Sequence, residues 1–260
     1  MKGPIIGISG VRGIVGQTLT PQVATRFGCA FGTYLEGGRV VIGRDNRPSG
    51  EMIACAITSG LLATGSEVID LGFAATPSIS AMVSELRCRG GVIISASHNP
   101  FEYNGIKFLS EVGMLLTAEQ GGRLLEIYET SSFAMRDQGG IGSLLDDATS
   151  ADRHVARVLG IIDAEPIRAK RFKVVLDGVG GAGGPVMFEL LEALGAEVVN
   201  LFGSPAREFP RPPEPTPENL GALREAVKEQ GADIGLALDP DGDRLALVDE
   251  RGECLSEEYT

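Results

Sequence analysis

The sequence is poor in the residues that build soft-metal or disulfide-held proteins. Its 260 residues include two histidines and four cysteines. Cys29, Cys55, Cys88 and Cys254 are widely scattered, with no CxxC pair for zinc and no close spacing for a disulfide framework, so they read as reduced thiols. His98 and His154 alone cannot build an imidazole-rich site, which leaves oxygen ligands, and with them magnesium or calcium, for any metal. Basic residues are also scarce. Lys and Arg total 23 against 35 Asp and Glu, the formal net charge is −12, and no basic block offers a footprint for a nucleic-acid backbone. No apolar run approaches the roughly 20 residues that span a bilayer. Gly and Pro interrupt the apolar start MKGPIIGISG, so no signal-peptide core forms. The expectation is a cytoplasmic protein that engages neither nucleic acid nor membrane.

What is present is enough apolar material for a packed core, with 43% hydrophobic and 22% charged residues. The length suits two ordinary domains. Short β-branched or aliphatic runs predict strands at 4–8, 39–42, 67–71 and 91–94, alternating with helical patterns. Thr20-Pro21 and Thr76-Pro77 each read as a capping hydroxyl before a first-turn proline, Thr117 with Gln120 as a capping box for a helix reaching Tyr128, and 49–63 as another helix. Periodicity fades between Ser131 and Ser150, and the domain boundary is expected there, giving domains 1–150 and 151–260 joined by a short helix at 153–159. The second domain repeats the rhythm, with strands expected at 172–176, 197–201, 233–238 and 245–248 and helices at 185–194 and 218–230. The predicted class is α/β: two three-layer domains with mixed, mostly parallel sheets.

Asp239-Pro240-Asp241-Gly242-Asp243-Arg244 follows an apolar strand, and its alternate carboxylates converge on one hard cation if Pro240 and Gly242 fold the loop. A solvated acidic turn is the bland reading, disfavoured because carboxylates packed so closely repel one another. An EF-hand is disfavoured too, since Arg244 stands where that loop needs Gly and strands flank it. Upstream, Ser95-Ala96-Ser97-His98-Asn99-Pro100 ends a buried strand pattern, where open α/β sheets bind ligands. Taken alone, Ser97 reads as a turn residue. Gly178-Val179-Gly180-Gly181-Ala182-Gly183 satisfies a dinucleotide fingerprint, but Asn200 stands near the end of the next strand, where an acid should hold the ribose. These glycines therefore read as a close helix–strand turn.

Ser97-His98-Asn99-Pro100 with Asn104-Gly105-Ile106-Lys107, the block Gly43 to Gly50, the opening Ser9-Gly10-Val11-Arg12-Gly13 and the loop Asp239 to Arg244 together resemble the α-D-phosphohexomutase family. The resemblance implies a phosphoryl-carrying Ser97 and a magnesium ion held by Asp239, Asp241, Asp243 and the Ser97 phosphate. It implies that Lys107 acts as general acid or base, that Arg12 neutralises charge on the transferring group, and that Ser9, Asn99 and Arg244 contact substrate or phosphate. A lysine near its usual ~10.4 becomes a base only beside cations or when desolvated. His98 is expected either to orient phosphate and shuttle a proton or to steady the loop. Arg244 has a salt bridge to a neighbouring Asp as its bland alternative, and Arg44, Asp45 and Arg47 read as a structural ion-pair knot.

The implied reaction interconverts hexose 6-phosphate and hexose 1-phosphate through phospho-Ser97 and a hexose 1,6-bisphosphate, which also serves as activator. Within the family, the opening motif and residues 95–109 resemble phosphoglucosamine mutases first and phosphomannomutases or phosphoglucomutases second. The chain stops about where a family member would enter its third domain, so domains III and IV and full turnover are not expected. A monomer or homodimer is expected. A non-catalytic phosphosugar-binding module and, more distantly, a dinucleotide-dependent oxidoreductase are the rival classes.

Overall fold

Alternation along the strands sets the layers. In β3 (Val40–Arg44), Val40 and Ile42 point to one face of a sheet and Val41 to the other. The computed structural model describes residues 5–7, 10–206 and 208–255, and these pack as two units. One unit runs to Ala96 and from Pro100 to Ser150; the other takes Ser97–Asn99 and the chain from Ala151.

In the first unit, β1 (Ile5–Gly7), β2 (Gly10–Ile14), β3, β4 (Val68–Phe73), β5 (Gly90–Ile94), β6 (Tyr103–Leu109) and β7 (Leu144–Asp146) form one sheet in the order β1-β2-β6-β5-β3-β4-β7. Pairings from β1 through β6 to β5 are antiparallel, and those from β5 through β3 and β4 to β7 are parallel. Helices α1 (Pro21–Tyr34), α2 (Gly50–Ala63) and α4 (Ala118–Thr130) cover one face through Phe27, Phe31, Ile57, Leu61 and Leu124, while α3 (Thr76–Glu85) covers the other through Ile79, Met82 and Val83. Thr20 caps α1, and Thr117 with Gln120 closes a two-way capping box on α4. At α3 the expected cap shifts by one residue. Ala75 is the extended cap and Thr76 already helical, which leaves Pro77 in the first turn, where a missing N–H costs nothing.

The boundary helix is longer than its pattern, α5 running Ser150–Leu159, and α6 (Glu165–Lys170) was not foreseen. The second unit pairs β11 (Leu245–Asp249), β10 (Ile234–Leu238), β8 (Lys173–Asp177) and β9 (Glu197–Asn200) in that order, antiparallel at β11–β10 and parallel elsewhere. Helix α7 (Gly183–Ala193) packs on one face through Leu191, and α8 (Gly221–Gln230) on the other through Leu223 and Val227. The helix expected at 218–230 divides into a short 3₁₀ turn, Pro217–Asn219, and α8.

Three strands escaped the pattern. β2 reads GVRGI and β6 reads YNGIKFL, so glycine and polar residues interrupt the β signal of strands that nonetheless pair on both sides within the sheet. β7 lies in the segment without periodicity. All three of its residues are exposed, and main-chain pairing to β4 holds it at the edge. Cys29 and Cys88 are buried, Cys254 is half-buried and Cys55 is exposed. Burial pushes the Cys88 thiol up to about 11. Among the described residues no helix is long and apolar enough to cross a membrane.

Candidate active site

The serine loop grows out of the parallel register of β3 and β5. Arg44 lies opposite Ile94, so the next residues, Asp45 and Ser95, leave the same edge of the sheet side by side, and the Asp45 amide donates to the Ile94 carbonyl at 3.0 Å. Ser95 Oγ donates to Asp45 Oδ2 at 2.8 Å. The same carboxylate takes the Arg47 amide at 3.1 Å and Arg47 Nε at 3.2 Å. Arg47 is fully buried, and its Nη1 donates to the carbonyls of Pro100 at 2.8 Å and Tyr103 at 2.9 Å. One buried pair thus grips both ends of the loop. Arg44, expected in the same knot, turns instead to Asp70 at 3.3 Å and lies over the Phe73 ring.

Between those ends, Ser97–Asn99 pack with the second unit. Ser97 is buried and holds a left-handed backbone, φ 51°, which costs a non-glycine residue on the order of 1–3 kcal/mol and persists where surroundings enforce it. Its hydroxyl donates to Asp239 Oδ2 at 2.8 Å and lies 3.3 Å from His98 Nδ1. His98 and Asn99 are partly exposed beside it.

The parallel register of β8 and β10 builds the acidic loop. Ala237 lies opposite Asp177, so the turn after β8 and the loop after β10 emerge together. Leu238 pairs with Leu245, and residues 239–244 close the hairpin to β11. Asp239 Oδ1 accepts the amides of Asp243 at 3.1 Å and Arg244 at 3.2 Å, wrapping the loop around its first carboxylate. Gly242 takes the left-handed turn, φ 69°. One oxygen from each of Asp239, Asp241 and Asp243 lies within 4.8 Å of the others, and the first two residues are buried. Burial, then the neighbouring Asp241 charge, pushes the Asp239 carboxyl up to about 8. Three converging hard-oxygen donors whose charge is costly to keep without a counter-ion fit Mg²⁺ or Ca²⁺.

Arg12 and Lys107 lie on neighbouring strands of the first unit. Gly10 lies opposite Lys107 and Arg12 opposite Gly105 on the antiparallel pair β2–β6, so both long side chains share a face, each across from a glycine. They line a cavity of about 190 Å³ together with Ser95. Ser9 lies outside the described residues. In the second unit, exposed Arg244 donates Nη1 to Glu214 at 2.9 Å, where its bland alternative was a neighbouring Asp, and both residues line an open cavity of about 660 Å³.

Residues 3–135 match the family model described as phosphoglucomutase/phosphomannomutase, alpha/beta/alpha domain I, and residues 152–252 match that of domain II. The chain belongs to the phosphoglucomutase/phosphomannomutase family. It is 41% identical over 264 residues to a protein of Thermococcus kodakarensis named phosphoglucomutase/phosphomannomutase, covering 99% of this chain and 58% of that one. It is also 41% identical over 256 residues to a probable phosphoglucosamine mutase of Pyrococcus abyssi, covering 98% and 56%. The structure of a phosphoglucomutase/phosphomannomutase family protein from Burkholderia thailandensis superposes with a TM-score of 0.82 at 32% identity, over 96% of this chain and 56% of that chain. The chain therefore spans a little over half the length of the relatives it matches.

In this family member the glycine run 178–183 is the seat of the acidic loop. A Cβ on Gly181 would stand 2.4 Å from the Pro240 carbonyl oxygen and one on Gly183 2.9 Å from Gly242 Cα, while the Ala182 amide donates to Pro240 at 2.8 Å. The close turn read from sequence packs against a second loop that local pattern could not reveal. Sequence reasoning also passed over Ser95, Asp177, Arg211 and Glu214. The available signals were an acid ending an otherwise apolar strand and an arginine within a proline-rich stretch.

Proposed function

We propose that this chain is the phosphoryl-transfer part of a phosphohexomutase, which interconverts hexose 6-phosphate and hexose 1-phosphate through phospho-Ser97 and a hexose 1,6-bisphosphate, and that the chain by itself turns over little or no sugar phosphate. The observation that carries the reading is the buried Ser97 hydroxyl, held 2.8 Å from Asp239 of a three-carboxylate cluster. A nucleophile placed against a cation site is the arrangement that phosphoryl transfer requires. In the forward step the P–Oγ bond of phospho-Ser97 breaks and a P–O bond to a sugar hydroxyl forms. Lys107 takes the hydroxyl proton, and protonated His98, whose Nδ1 lies 3.3 Å from Ser97 Oγ, gives a proton to the departing Oγ. Arg12, in the same cavity as Lys107, offsets charge on the transferring group. Ser9, Asn99 and Arg244 bind the substrate's phosphate or sugar.

Asp239, Asp241 and Asp243 would hold Mg²⁺ together with a phosphate oxygen of phospho-Ser97, and the bound ion supplies charge neutralisation to that phosphate. Glucosamine 6-phosphate is the first substrate in this reading. The equal identity to a relative named phosphoglucomutase/phosphomannomutase keeps mannose and glucose phosphates as the second reading.

The test is intact-mass measurement after incubation with glucose 1,6-bisphosphate and Mg²⁺. A phosphate-sized adduct present in the native chain and absent from Ser97→Ala supports the reading, and an adduct that survives the substitution overturns it. Coupled assays with glucosamine, glucose and mannose 6-phosphates rank the sugars.

A further inference from the structure

Six prolines lie between Pro205 and Pro217, and within that stretch Arg211 turns inward. We propose that Arg211, paired with Asp177, is a positioning residue that sets the acidic loop for its cation. The proposal rests on the reading of Asp239, Asp241 and Asp243 as magnesium ligands.

The pair is buried, with side-chain exposures of 7% for Arg211 and 1% for Asp177, and Nε meets Oδ2 at 2.7 Å. The other guanidinium nitrogens do the joining. Nη2 donates to the Leu238 carbonyl at 2.8 Å, which fixes the peptide plane from which Asp239 departs. Nη1 donates to the Pro212 carbonyl at 2.9 Å and lies 3.4 Å from that of Pro213, holding the segment from which Glu214 reaches Arg244. From the other side, Asp177 Oδ1 accepts the Val179 amide at 2.9 Å and so shapes the start of the glycine turn that seats Pro240. One ion pair thereby fixes the acidic loop at its entry peptide and at the turn beneath it. Asp239 wraps the rest of the loop by accepting two amides, so a displaced Leu238–Asp239 peptide would move the whole carboxylate set. The planar fork of arginine is essential to this arrangement, since an ammonium presents no three donors in one plane.

Partners that orient metal ligands change affinity when removed, typically by about 10–100-fold. Calorimetric titration of the whole chain with MgCl₂ should therefore show binding about 10–100-fold weaker in Arg211→Met, with Arg211→Lys failing to restore it. Leaving Asp177 unpaired could prevent folding. The double variant Asp177→Asn/Arg211→Met removes both charges while Asn keeps the acceptor for Val179, and it should show the same weakened binding with cooperative thermal unfolding retained. A pair that serves stability alone would lower the melting temperature of the metal-free chain and leave the Mg²⁺ affinity of the folded variants at the native value, and that result overturns the proposal. Native binding that Asp241→Asn abolishes while both Arg211 variants match the native chain overturns the positioning role alone. Absence of Mg²⁺ binding by the native chain, or binding that Asp241→Asn leaves intact, overturns the ligand assignment and the positioning role together.

Discussion

Each unit contains a buried Asp–Arg pair bracing a loop at the carboxyl edge of its sheet, and the two are built differently. Asp45 and Arg47 are two residues apart in the chain, and the pair holds the serine loop by Ser95, Pro100 and Tyr103. Asp177 and Arg211 stand 34 residues apart, and their pair holds the acidic loop by the Leu238 carbonyl. The first is made within one turn, so most of its geometry is in place once β3 ends. The second exists only after the proline-rich segment has folded back over β8 and β10. Local and long-range solutions to one problem, keeping a polar loop still above a parallel sheet, differ in how much chain must be ordered to achieve it.

Arg47 should be the most sensitive of these positions. Its replacement by Met removes the guanidinium that pairs with the buried Asp45 carboxylate, which should cost about 3–5 kcal/mol in denaturant unfolding. A loss below about 1 kcal/mol would mean that the local pair is dispensable.

The next effect belongs to the acidic loop. Asp239, raised to about 8 from an ordinary 3.8, keeps in the folded, metal-free chain a proton that the unfolded chain has already released. Between pH 4 and 8 the folded state therefore binds more protons than the unfolded one, and the stability of the metal-free chain falls as pH rises through that window. Magnesium must displace this proton, so its affinity should climb about tenfold per pH unit up to about 8, read by titration calorimetry at several pH values. Asp239→Asn should abolish the stability slope and, since it removes a ligand, the Mg²⁺ binding with it.

A smaller effect separates the glycine seat from an ordinary helical glycine. A Cβ at Gly181 meets main chain, so Gly181→Ala should cost about 1–3 kcal/mol and weaken Mg²⁺ binding. Gly122, in α4 with nothing near its Cβ position, should gain about 0.5–1 kcal/mol as Ala in thermal unfolding. Smallest of all, Glu214→Gln removes an exposed ion pair and should change stability by less than about 1 kcal/mol, leaving any larger consequence to appear in substrate KM.

Legibility followed the same divide between local and distant contacts. The capping box at Thr117 and Gln120, the strands ending before Ser95 and Asp239, and the acidic triad were readable because each depends on neighbours within a few residues. Strands β2 and β6, which carry Arg12 and Lys107, were not readable. Glycines that make room for those side chains erase the alternation by which a strand is recognised. β7 was hidden because an exposed edge strand needs no apolar face.

By itself, then, the sequence determined which chemistry is possible. Two histidines and scattered cysteines left oxygen donors for a metal, and the serine and aspartate motifs placed those donors at strand ends. Tertiary structure alone decided which groups meet. Ser97 faces Asp239 across 142 residues of chain, Arg211 reaches Asp177 and Leu238, and Arg244 pairs with Glu214 and not with its neighbours. Strand register and loop packing set those distances. Both follow from burying apolar faces along the whole chain, a sum over distant residues that no short motif contains.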